Sequence, residues 1–359
     1  MSTGPDGGGV AGLPGVDSAR SVDSARSVGS AGPVDRAGPV DRAGPVDRAG
    51  PAGAALPVGT ARPADPSEPA DAPELRELLE LRELAVGLAA EAGRLALALR
   101  RQGVAVAGTK SSRTDVVTRA DLAVESLVRD RLAAARPADV ILGEEGGGAV
   151  GGAAAGVTEW VLDPIDGTVN YLYDIPTWAV SVAVRRDGRT LAAAVANPPT
   201  GEVFAAAVGL GATLTDAAGS RPLRLDPAAA PSELATALVG TGFGYTASAR
   251  AADGLVAARL LPQVRDLRRI GVASLDLCAV AAGRLDAYYE RGLHDWDYAG
   301  GALVAAEAGA VLLGRGGHPV GADLVLAAVP AVAGPLLDAL ELLWADPATA
   351  RPELSAPPS

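Results

Sequence analysis

Carboxylates stand beside three separate apolar segments of the sequence. Asp163 and Asp166 lie three residues apart in Trp160–Asn170 (WVLDPIDGTVN), where an apolar stretch runs directly into a turn. Glu144 follows a second apolar stretch, and Asp297 precedes a helical pattern rich in Ala and Gly. Carboxylate and carbonyl oxygens are the ligands that hard cations such as Mg²⁺ prefer. If the fold brings these segments together, the carboxylates would form a site for more than one metal ion.

The turn after the first stretch has features that suit ligand binding. Pro164 fixes its own φ angle, and Gly167 permits a tight reversal of the chain. The carbonyl of Ile165 is a further candidate metal ligand, and the exposed amides of Gly167 and Thr168 can receive a phosphate oxygen. Alone, an Asp-x-x-Asp-Gly segment is explained better by an Asx-rich turn that only reverses the chain.

The other two carboxylates also have simpler explanations. Glu144 belongs to Gly143–Glu145 (GEE), which would serve equally well as a solvated acidic loop. Asp297 stands where the N-cap of a helix belongs, so helix capping alone accounts for it. It is their joint occurrence that favours a metal site.

Taken together, the motifs resemble the inositol monophosphatase family of Mg²⁺-dependent, lithium-sensitive phosphatases. The matching segments are Lys110–Asp121 (KSSRTDVVTRAD), Gly143–Glu145 (GEE), Asp163–Asn170 (DPIDGTVN) and Trp296–Ala299 (WDYA). The resemblance spans about residues 75 to 345. Asp295 and Tyr298, beside Asp297, depart from the family pattern and bear on substrate preference, since no expected metal ligand is changed.

The resemblance implies a role for each matching residue. Two or three Mg²⁺ ions would be held by Glu144, Asp163, the carbonyl of Ile165, Asp166 and Asp297. Catalytic roles would fall to Thr168, which with the help of Asp121 orients the attacking water, and to Glu144. Substrate would be bound by Asp166, by the amides of Gly167 and Thr168, by Lys110 near the phosphate or outermost metal, by Ala273 in the sugar site, and by Glu290 through inositol hydroxyls.

The expected reaction is hydrolysis of a small phosphate monoester by metal-activated water, with myo-inositol 1-phosphate as the favoured substrate. Among the substrates of the family, Glu290 favours inositol phosphate. Histidinol phosphate, fructose 1,6-bisphosphate and 3′-phosphoadenosine 5′-phosphate stay open, because phosphatases for them share the metal motif. A different class of function, a regulatory partner of the transcription machinery, is the alternative. The resemblance also suggests a homodimer.

The elements that must position these residues can be read from hydrophobic periodicity. In the first half, the pattern predicts two helices followed by antiparallel strands. The helices are Glu74–Gln102 and Asp121–Ala135, and the strands are Val140–Leu142, Trp160–Leu162, Trp178–Arg185, Thr190–Ala196, Glu202–Ala207 and Ala212–Thr215. Asp187-Gly188 marks a hairpin, and Asp121 is expected to cap the second helix.

The second half alternates between strands and helices, which predicts a second sheet covered by helices. These elements are Leu238–Gly242, Ser248–Leu261, Ala273–Ala282, Asp286–Tyr289, Asp297–Glu307, Val311–Leu313, Leu324–Val329 and Ala331–Leu343. Alternating layers of helix and sheet are therefore expected. The resemblance to the family implies that the fold is α+β, a layered α-β-α-β-α sandwich of the sugar-phosphatase type. Its first sheet is antiparallel and its second sheet is mixed. The phosphatase domain would span residues 73–345, with halves at 73–230 and 231–345.

Composition excludes several classes of function. The 359-residue chain has a formal net charge of −12, which disfavours non-specific binding to nucleic acid or to anionic membranes. Its one cysteine, Cys278, cannot form an internal disulfide, so a cytoplasmic location is expected. Only two histidines are present, which disfavours a zinc site.

The two ends of the chain differ in composition from the rest. Residues 1–72 contain repeated VDSARS and AGPVDR hexapeptides with almost no large apolar residue, so a disordered extension is expected. Residues 346–359 are rich in Pro and are expected to form a frayed tail.

Overall fold

The computed structural model describes residues 72–104, 106–109, 116–147, 153–349 and 351. The amino-terminal repeats and Lys110 lie outside these ranges, so the predictions made for them stay predictions. No helix in the described ranges has the length and apolar character needed to cross a membrane.

The α-helices and strands of the described residues are numbered in chain order. The helices are α1 (Ala72–Gln102), α2 (Arg119–Ala135), α3 (Thr168–Leu172), α4 (Ala247–Leu260), α5 (Ala273–Ala281), α6 (Asp295–Glu307) and α7 (Pro330–Trp344). The strands are β1 (Val106–Thr109), β2 (Val116–Thr118), β3 (Val140–Gly143), β4 (Thr158–Asp166), β5 (Ala179–Arg186), β6 (Arg189–Asn197), β7 (Glu202–Ala207), β8 (Ala212–Asp216), β9 (Gly219–Leu223), β10 (Leu238–Thr241), β11 (Asp266–Arg268), β12 (Ala287–Glu290), β13 (Val311–Leu313) and β14 (Val325–Ala328).

The first large sheet has seven strands in sequence order, β3 to β9. All its pairs are antiparallel except β3 with β4, which run parallel at the edge. The carboxyl ends of β3 and β4 therefore lie side by side, which brings the segments carrying Glu144 and Asp166 to one edge. The prediction of an antiparallel first sheet is confirmed apart from this pair.

The second sheet has five strands in the order β11-β10-β12-β14-β13. Strands β10, β11 and β12 are parallel, whereas β13 and β14 pair antiparallel. The sheet is thus mixed, as predicted. Because β10 and β12 are parallel neighbours, the loops that follow them meet at the same edge.

Four apolar cores lie between five layers of structure. Helices α1 and α2 pack on one face of the first sheet, and α5 and α6 pack on its other face. The opposite side of α5 and α6 packs on the second sheet, whose far face is covered by α4 and α7. Ala and Gly on α5 and α6 allow close approach to both sheets: a Cβ on Gly300 would lie 2.6 Å from Oγ of Ser181. The layered α-β-α-β-α architecture predicted from the sequence is confirmed.

Three helices begin two residues earlier than the sequence predicted. Helix α1 starts at Ala72, α2 at Arg119 and α6 at Asp295. In α2 and α6 the reason is a capping box: the N-cap residues are Thr118 and His294, and the predicted caps occupy the third helical position. The predictions that Asp121 and Asp297 are N-caps are therefore wrong.

Four short strands were not predicted: β1, β2, β9 and β11. They have three to five residues each, and β9 is largely exposed at the edge of the first sheet. Strands this short show no periodicity long enough to distinguish them from loops.

The described part of the carboxyl-terminal segment is held against the second half of the molecule. Asp346 accepts a hydrogen bond from Arg259 at 2.6 Å, and the side chain of Thr349 is buried. The side chain of Arg351 pairs with Asp253 on α4. These residues were expected to belong to a frayed tail, and their contacts correct that expectation up to residue 351.

Candidate active site

Strand β4 carries both central carboxylates within its ladder. It continues through Asp166, four residues beyond the predicted end at Leu162, and all nine of its residues are buried. Asp163 lies opposite Ser181 and Asp166 lies opposite Ala179, so three residues of β4 span two of β5. This bulge accommodates Pro164, which has no N–H to donate.

The bulge also decides where the carboxylates point. In a regular strand, residues three apart face opposite sides of the sheet. Here the cross-strand partners of Asp163 and Asp166 are two apart, so both aspartates face the same side. That side is the one covered by α5 and α6, since Ala179 and Ala183 pack in that core. The two carboxylates therefore face α5, which begins with Ala273, and α6, which carries Asp297.

Gly167 makes the turn between β4 and α3. Its φ angle is +88°, a conformation that side chains disfavour. A Cβ at this position would also lie 2.7 Å from Cγ2 of Val272, which precedes α5. Glycine is therefore required both by the turn and by the close approach of the two segments.

Thr168, the first residue of α3, is held by two acceptors. Its Oγ1 lies 3.1 Å from the carbonyl oxygen of Ile165 and 3.3 Å from Oδ1 of Asp121. Asp121 is fully buried, and its Oδ2 accepts hydrogen bonds from the backbone N (2.9 Å) and the hydroxyl of Thr118. Asp121 thus links the start of α2 to the Thr168 hydroxyl, and the structure brings Thr168, Asp121 and Ile165 together as the sequence predicted.

Glu144 and Asp297 approach the same place from β3 and α6. The backbone N of Glu144 donates to the carbonyl of Leu162 at 3.2 Å, which places Glu144 beside the end of β4. In the first turn of α6, Oδ2 of Asp297 accepts a hydrogen bond from the backbone N of His294 at 2.7 Å. Burial raises the pKa of Asp297 well above its ordinary value, and the charges of Glu144 and Asp166 raise it further.

Asp166 lies at the amino terminus of α5. Its Oδ2 accepts a hydrogen bond from the backbone N of Ser274 at 2.7 Å. Burial raises the pKa of Asp166 to about 6, while the hydrogen bonds from Ser274 and Ala273 and the charge of Arg269 lower it. Ala273, expected in the sugar site, is the first residue of α5 and is buried. The substrate-side residue and the metal-side carboxylate therefore adjoin each other.

The donor set suits a hard divalent cation. Its candidate ligands are all oxygens, and burial together with mutual repulsion opposes ionisation of Asp166 and Asp297. A cation would offset both costs. In the ranges that the structure describes, no three Asp, Glu, His or Cys side chains stand close enough together to hold a metal ion by themselves. Mg²⁺ usually keeps several water ligands and binds through one or two carboxylates, so it does not require such a group.

A buried glutamate on α2, which sequence reasoning missed, fixes the Glu144 loop. Glu125 accepts hydrogen bonds from the backbone N of Glu145 at 2.9 Å and of Gly146 at 2.7 Å. Arg129 donates to Glu125 at 2.8 Å and to the carbonyl of Gly147 at 2.9 Å. The available signal was the i, i+4 spacing of Glu125 and Arg129, but that spacing is common on solvated helix faces.

Glu290 ends β12 at the edge of the second sheet. Its Oε2 accepts a hydrogen bond from the hydroxyl of Tyr288 at 2.5 Å. Burial raises the pKa of Glu290 to about 7, with the Asp166 charge adding to the rise and the Tyr288 hydrogen bond and the Arg269 charge opposing it. The charge of Glu290 in turn raises the pKa of Asp297. Glu290 therefore lies within electrostatic reach of the carboxylate edge.

The layered fold and its acidic edge are those of the metal-dependent phosphatases that act on small phosphorylated metabolites. Comparison with known proteins makes the assignment specific. The sequence profile described as "Inositol monophosphatase family" matches residues 77–345. The chain therefore belongs to the inositol monophosphatase family.

Individual relatives agree with this family assignment. The chain is 54% identical over 236 residues to the inositol-1-monophosphatase of Mycobacterium leprae (strain TN), covering 65% of this chain and 80% of that protein. It is 37% identical over 237 residues to the Nus factor SuhB of Escherichia coli (strain K12), covering 66% and 85%. The solved structure of Mycobacterium tuberculosis SuhB matches with a TM-score of 0.63 and 47% identity, covering 74% of this chain and 97% of that one.

Proposed function

We propose that the protein hydrolyses myo-inositol 1-phosphate to myo-inositol and phosphate, with Mg²⁺ as cofactor. The observation that carries the proposal is the placement of Asp163 and Asp166 on one face of β4, next to the Thr168 hydroxyl that Asp121 and Ile165 hold. Membership of the family, with relatives that are 50% and 54% identical over the aligned regions, supports the same reaction.

The metal site would be formed by oxygen ligands from two sheet strands and one helix. The proposed ligands are the carboxylates of Glu144, Asp163, Asp166 and Asp297 and the carbonyl oxygen of Ile165. These residues would hold two or three Mg²⁺ ions, whose chemistry would be to lower the pKa of a water molecule and to offset negative charge on the departing oxygen. The metal number and identity rest on the resemblance of the motifs to the family.

The protein's own groups have distinct tasks around that centre. The Thr168 hydroxyl, which can donate to only one acceptor at a time, orients the attacking water through its lone pairs while Asp121 fixes its position. The amides of Gly167 and Thr168 receive phosphate oxygens, and Lys110 adds positive charge near the phosphate. Glu144 would share in catalysis as a ligand of the metal that activates the water.

The alcohol part of the substrate is assigned to Glu290 and Ala273. A carboxylate that is buried, hydrogen-bonded and close to the acidic edge suits recognition of vicinal hydroxyls, because it presents acceptors at a fixed position. We also propose a homodimer without nucleic-acid ligands. A Nus factor SuhB is among the relatives, so a role in transcription is the second candidate function. Assays of phosphate release test the first candidate independently of the second.

A panel of phosphate monoesters tests the proposal. With Mg²⁺ present, we expect kcat/KM for myo-inositol 1-phosphate to exceed those for histidinol phosphate, fructose 1,6-bisphosphate and 3′-phosphoadenosine 5′-phosphate. Replacing Glu290 by Ala should lower the preference for inositol phosphate by about tenfold or more, since the lost hydrogen bonds serve that alcohol alone. Unchanged preference in the Glu290 variant would remove the reason for choosing inositol.

A further inference from the structure

A carboxyl-terminal arginine reaches the substrate side of the molecule. Arg351 lies beyond residue 345, where the match to the family ends, yet its side chain is only 7% exposed. Nε of Arg351 donates to Oδ1 of Asp253 at 2.8 Å, and Nη2 donates to Oδ2 of the same carboxylate. Asp253, on α4, is 11% exposed. A bidentate pair between a guanidinium and a carboxylate fixes orientation as well as distance, and here it does so in a largely buried place.

The same pair holds two loops of the second sheet. Nη1 of Arg351 donates to the carbonyl oxygen of Arg291 at 2.8 Å, directly after β12. Oδ2 of Asp253 accepts a hydrogen bond from the backbone N of Gly244 at 3.0 Å, in the loop after β10. Because β10 and β12 are parallel neighbours, these loops leave the sheet at one edge. The Arg351–Asp253 pair is therefore a clamp across that edge.

The clamp adjoins the carboxylate proposed to bind the substrate hydroxyls. Glu290 immediately precedes Arg291, whose carbonyl the clamp holds. The Glu290 carboxylate lies against the backbone of Gly242, so closely that a Cβ at position 242 would overlap it. Similarly, a Cβ at Gly292 would lie 2.8 Å from Nη1 of Arg351. The two loops pack against each other with Glu290 between them, and the spacing of the loops determines where its carboxylate stands.

We propose that Arg351 and Asp253 are positioning residues for the polyol end of the substrate. By fixing the loops that follow β10 and β12, the pair holds Glu290 where it can meet the hydroxyls of a polyhydroxylated alcohol. This inference rests on the proposed function, since it concerns the alcohol that Glu290 would recognise. The phosphate and metal edge, on the first sheet, is outside the reach of the clamp's hydrogen bonds.

The test compares two substrates that share a phosphate and differ in the alcohol. Steady-state kcat and KM are measured with Mg²⁺ for myo-inositol 1-phosphate and for p-nitrophenyl phosphate, which has no hydroxyls for Glu290 to bind. For Arg351→Ala we expect KM for inositol phosphate to rise about tenfold with kcat little changed, while both constants for p-nitrophenyl phosphate stay within about twofold of the wild-type values. Arg351→Lys should restore only part of the KM, because an ammonium cannot pair bidentately.

Two further variants complete the design. The double variant Arg351→Ala/Asp253→Ala should have about the same KM for inositol phosphate as the more impaired single variant. The effects of removing two partners of one interaction do not add. Asp346→Ala is the matched control: it removes the more exposed Arg259–Asp346 pair, which ties the same carboxyl-terminal segment to α4. Its kinetic constants for both substrates should match those of the wild type.

The outcomes separate the two proposals. Equal losses on both substrates, or an unchanged KM for inositol phosphate in both Arg351 variants, would overturn the positioning role while leaving the phosphatase assignment standing. Wild-type protein that cannot hydrolyse inositol phosphate would refute the proposed function itself. If Arg351→Ala fails to fold, Arg351→Lys, which keeps the stem and the charge, is scored by the same two-substrate comparison.

Discussion

The two edges that meet at the candidate active site are built in different ways. On the edge of the first sheet, Asp163, Asp166, Gly167 and Thr168 come from six consecutive residues of one strand and turn. On the edge of the second sheet, Gly242 and Glu290 are 48 residues apart in sequence, and Glu290 and Arg351 are 61 apart. The centre of the first edge is a continuous motif, to which Glu144 and Asp297 are added, whereas the second edge is assembled by tertiary packing throughout.

The charges on the two edges are also handled differently. On the first, neighbouring carboxylates raise the pKa of Asp297, which opposes its ionisation and leaves a role for a cation. On the second, Arg269 and Arg351 lower the pKa of Glu290 against its burial, and the Tyr288 hydroxyl donates to its carboxylate. The first edge thus suits a charged cofactor and a charged phosphate. On the second edge burial still raises the pKa of Glu290 to about 7 despite these partners, which suits uncharged hydroxyls better than charged groups.

The largest expected effect comes from the first edge. Asp163→Asn replaces a proposed metal-ligand oxygen by an amide, so we expect kcat to fall by about three orders of magnitude or more on every phosphate monoester. The stabilisation of the protein by Mg²⁺ should shrink as well, because at a given Mg²⁺ concentration a higher Kd for the folded state gives less stabilisation. Phosphate release and the Mg²⁺-induced shift in Tm measure these two effects.

Asp216→Asn is the control for this substitution. Asp216 pairs with Arg221 at the opposite edge of the same sheet, and removing that pair should leave both kinetics and the Mg²⁺ response unchanged. Full activity in Asp163→Asn would show that the metal mechanism proposed here is wrong and would end the contrast between the two edges.

The same contrast explains how far the sequence could predict the structure. Asp163–Thr168 is contiguous, so its residue types and spacing were enough to indicate a metal-binding turn. The link between Thr168 and the distant Asp121 was predicted from the family resemblance. Hydrophobic periodicity predicted alternating layers of helix and sheet, and the resemblance gave the five-layer sandwich. The bulge between Asp163 and Asp166 was not predictable, because β4 was expected to stop at Leu162 and the irregularity appears only in its pairing with β5.

Residues that act through tertiary contacts were beyond sequence reasoning. Glu125 looks like any helical glutamate until the Gly143–Gly147 loop is folded over it, and Arg351 lies in a Pro-rich segment that was expected to fray. Capping shows the same limit on a small scale. Asp121 and Asp297 have the residue type of N-caps, but Thr118 and His294, three residues earlier, take that position, and the aspartates occupy the third helical position.

A smaller effect is expected from the glutamate that holds the Glu144 loop. Glu125→Gln would turn an amide group towards donors that now meet carboxylate oxygens, so the loop should shift and the Mg²⁺ concentration for half-maximal activity should rise about tenfold. Titration of activity with Mg²⁺ measures this change. Glu91→Gln is the matched control, because Glu91 on α1 makes an exposed pair with Arg131 of α2, the helix that carries Glu125. Identical Mg²⁺ dependence in the two variants would show that the hydrogen bonds of Glu125 to the Glu144 loop do not affect Mg²⁺ binding at the first edge.

The smallest predicted effect concerns the second edge and the stability of the metal-free protein. The pKa of Glu290 is raised from an ordinary 4.5 to about 7, mainly by burial. Between these values the folded state binds more protons than the unfolded state, so this group stabilises the fold below about pH 4.5 and the contribution is lost as pH rises through about 7. Glu290→Gln should remove this component, which is on the order of 1–3 kcal/mol for a group that retains some exposure.

Urea unfolding in the presence of a chelator, followed by tryptophan fluorescence at pH 5 and at pH 8, gives the difference between wild type and Glu290→Gln at each pH. Glu202→Gln supplies a control whose effect on stability should be the same at pH 5 and at pH 8. The pKa of Glu202 is lowered, chiefly by its hydrogen bond from Arg284, so its contribution is present above the ordinary pKa and is lost as pH falls through the lowered value. Equal pH slopes for wild type and Glu290→Gln would mean that Glu290 is as well solvated as a surface carboxylate. In that case the second edge would no longer differ from ordinary surface, and the burial that is proposed to orient Glu290 towards the substrate hydroxyls would be absent.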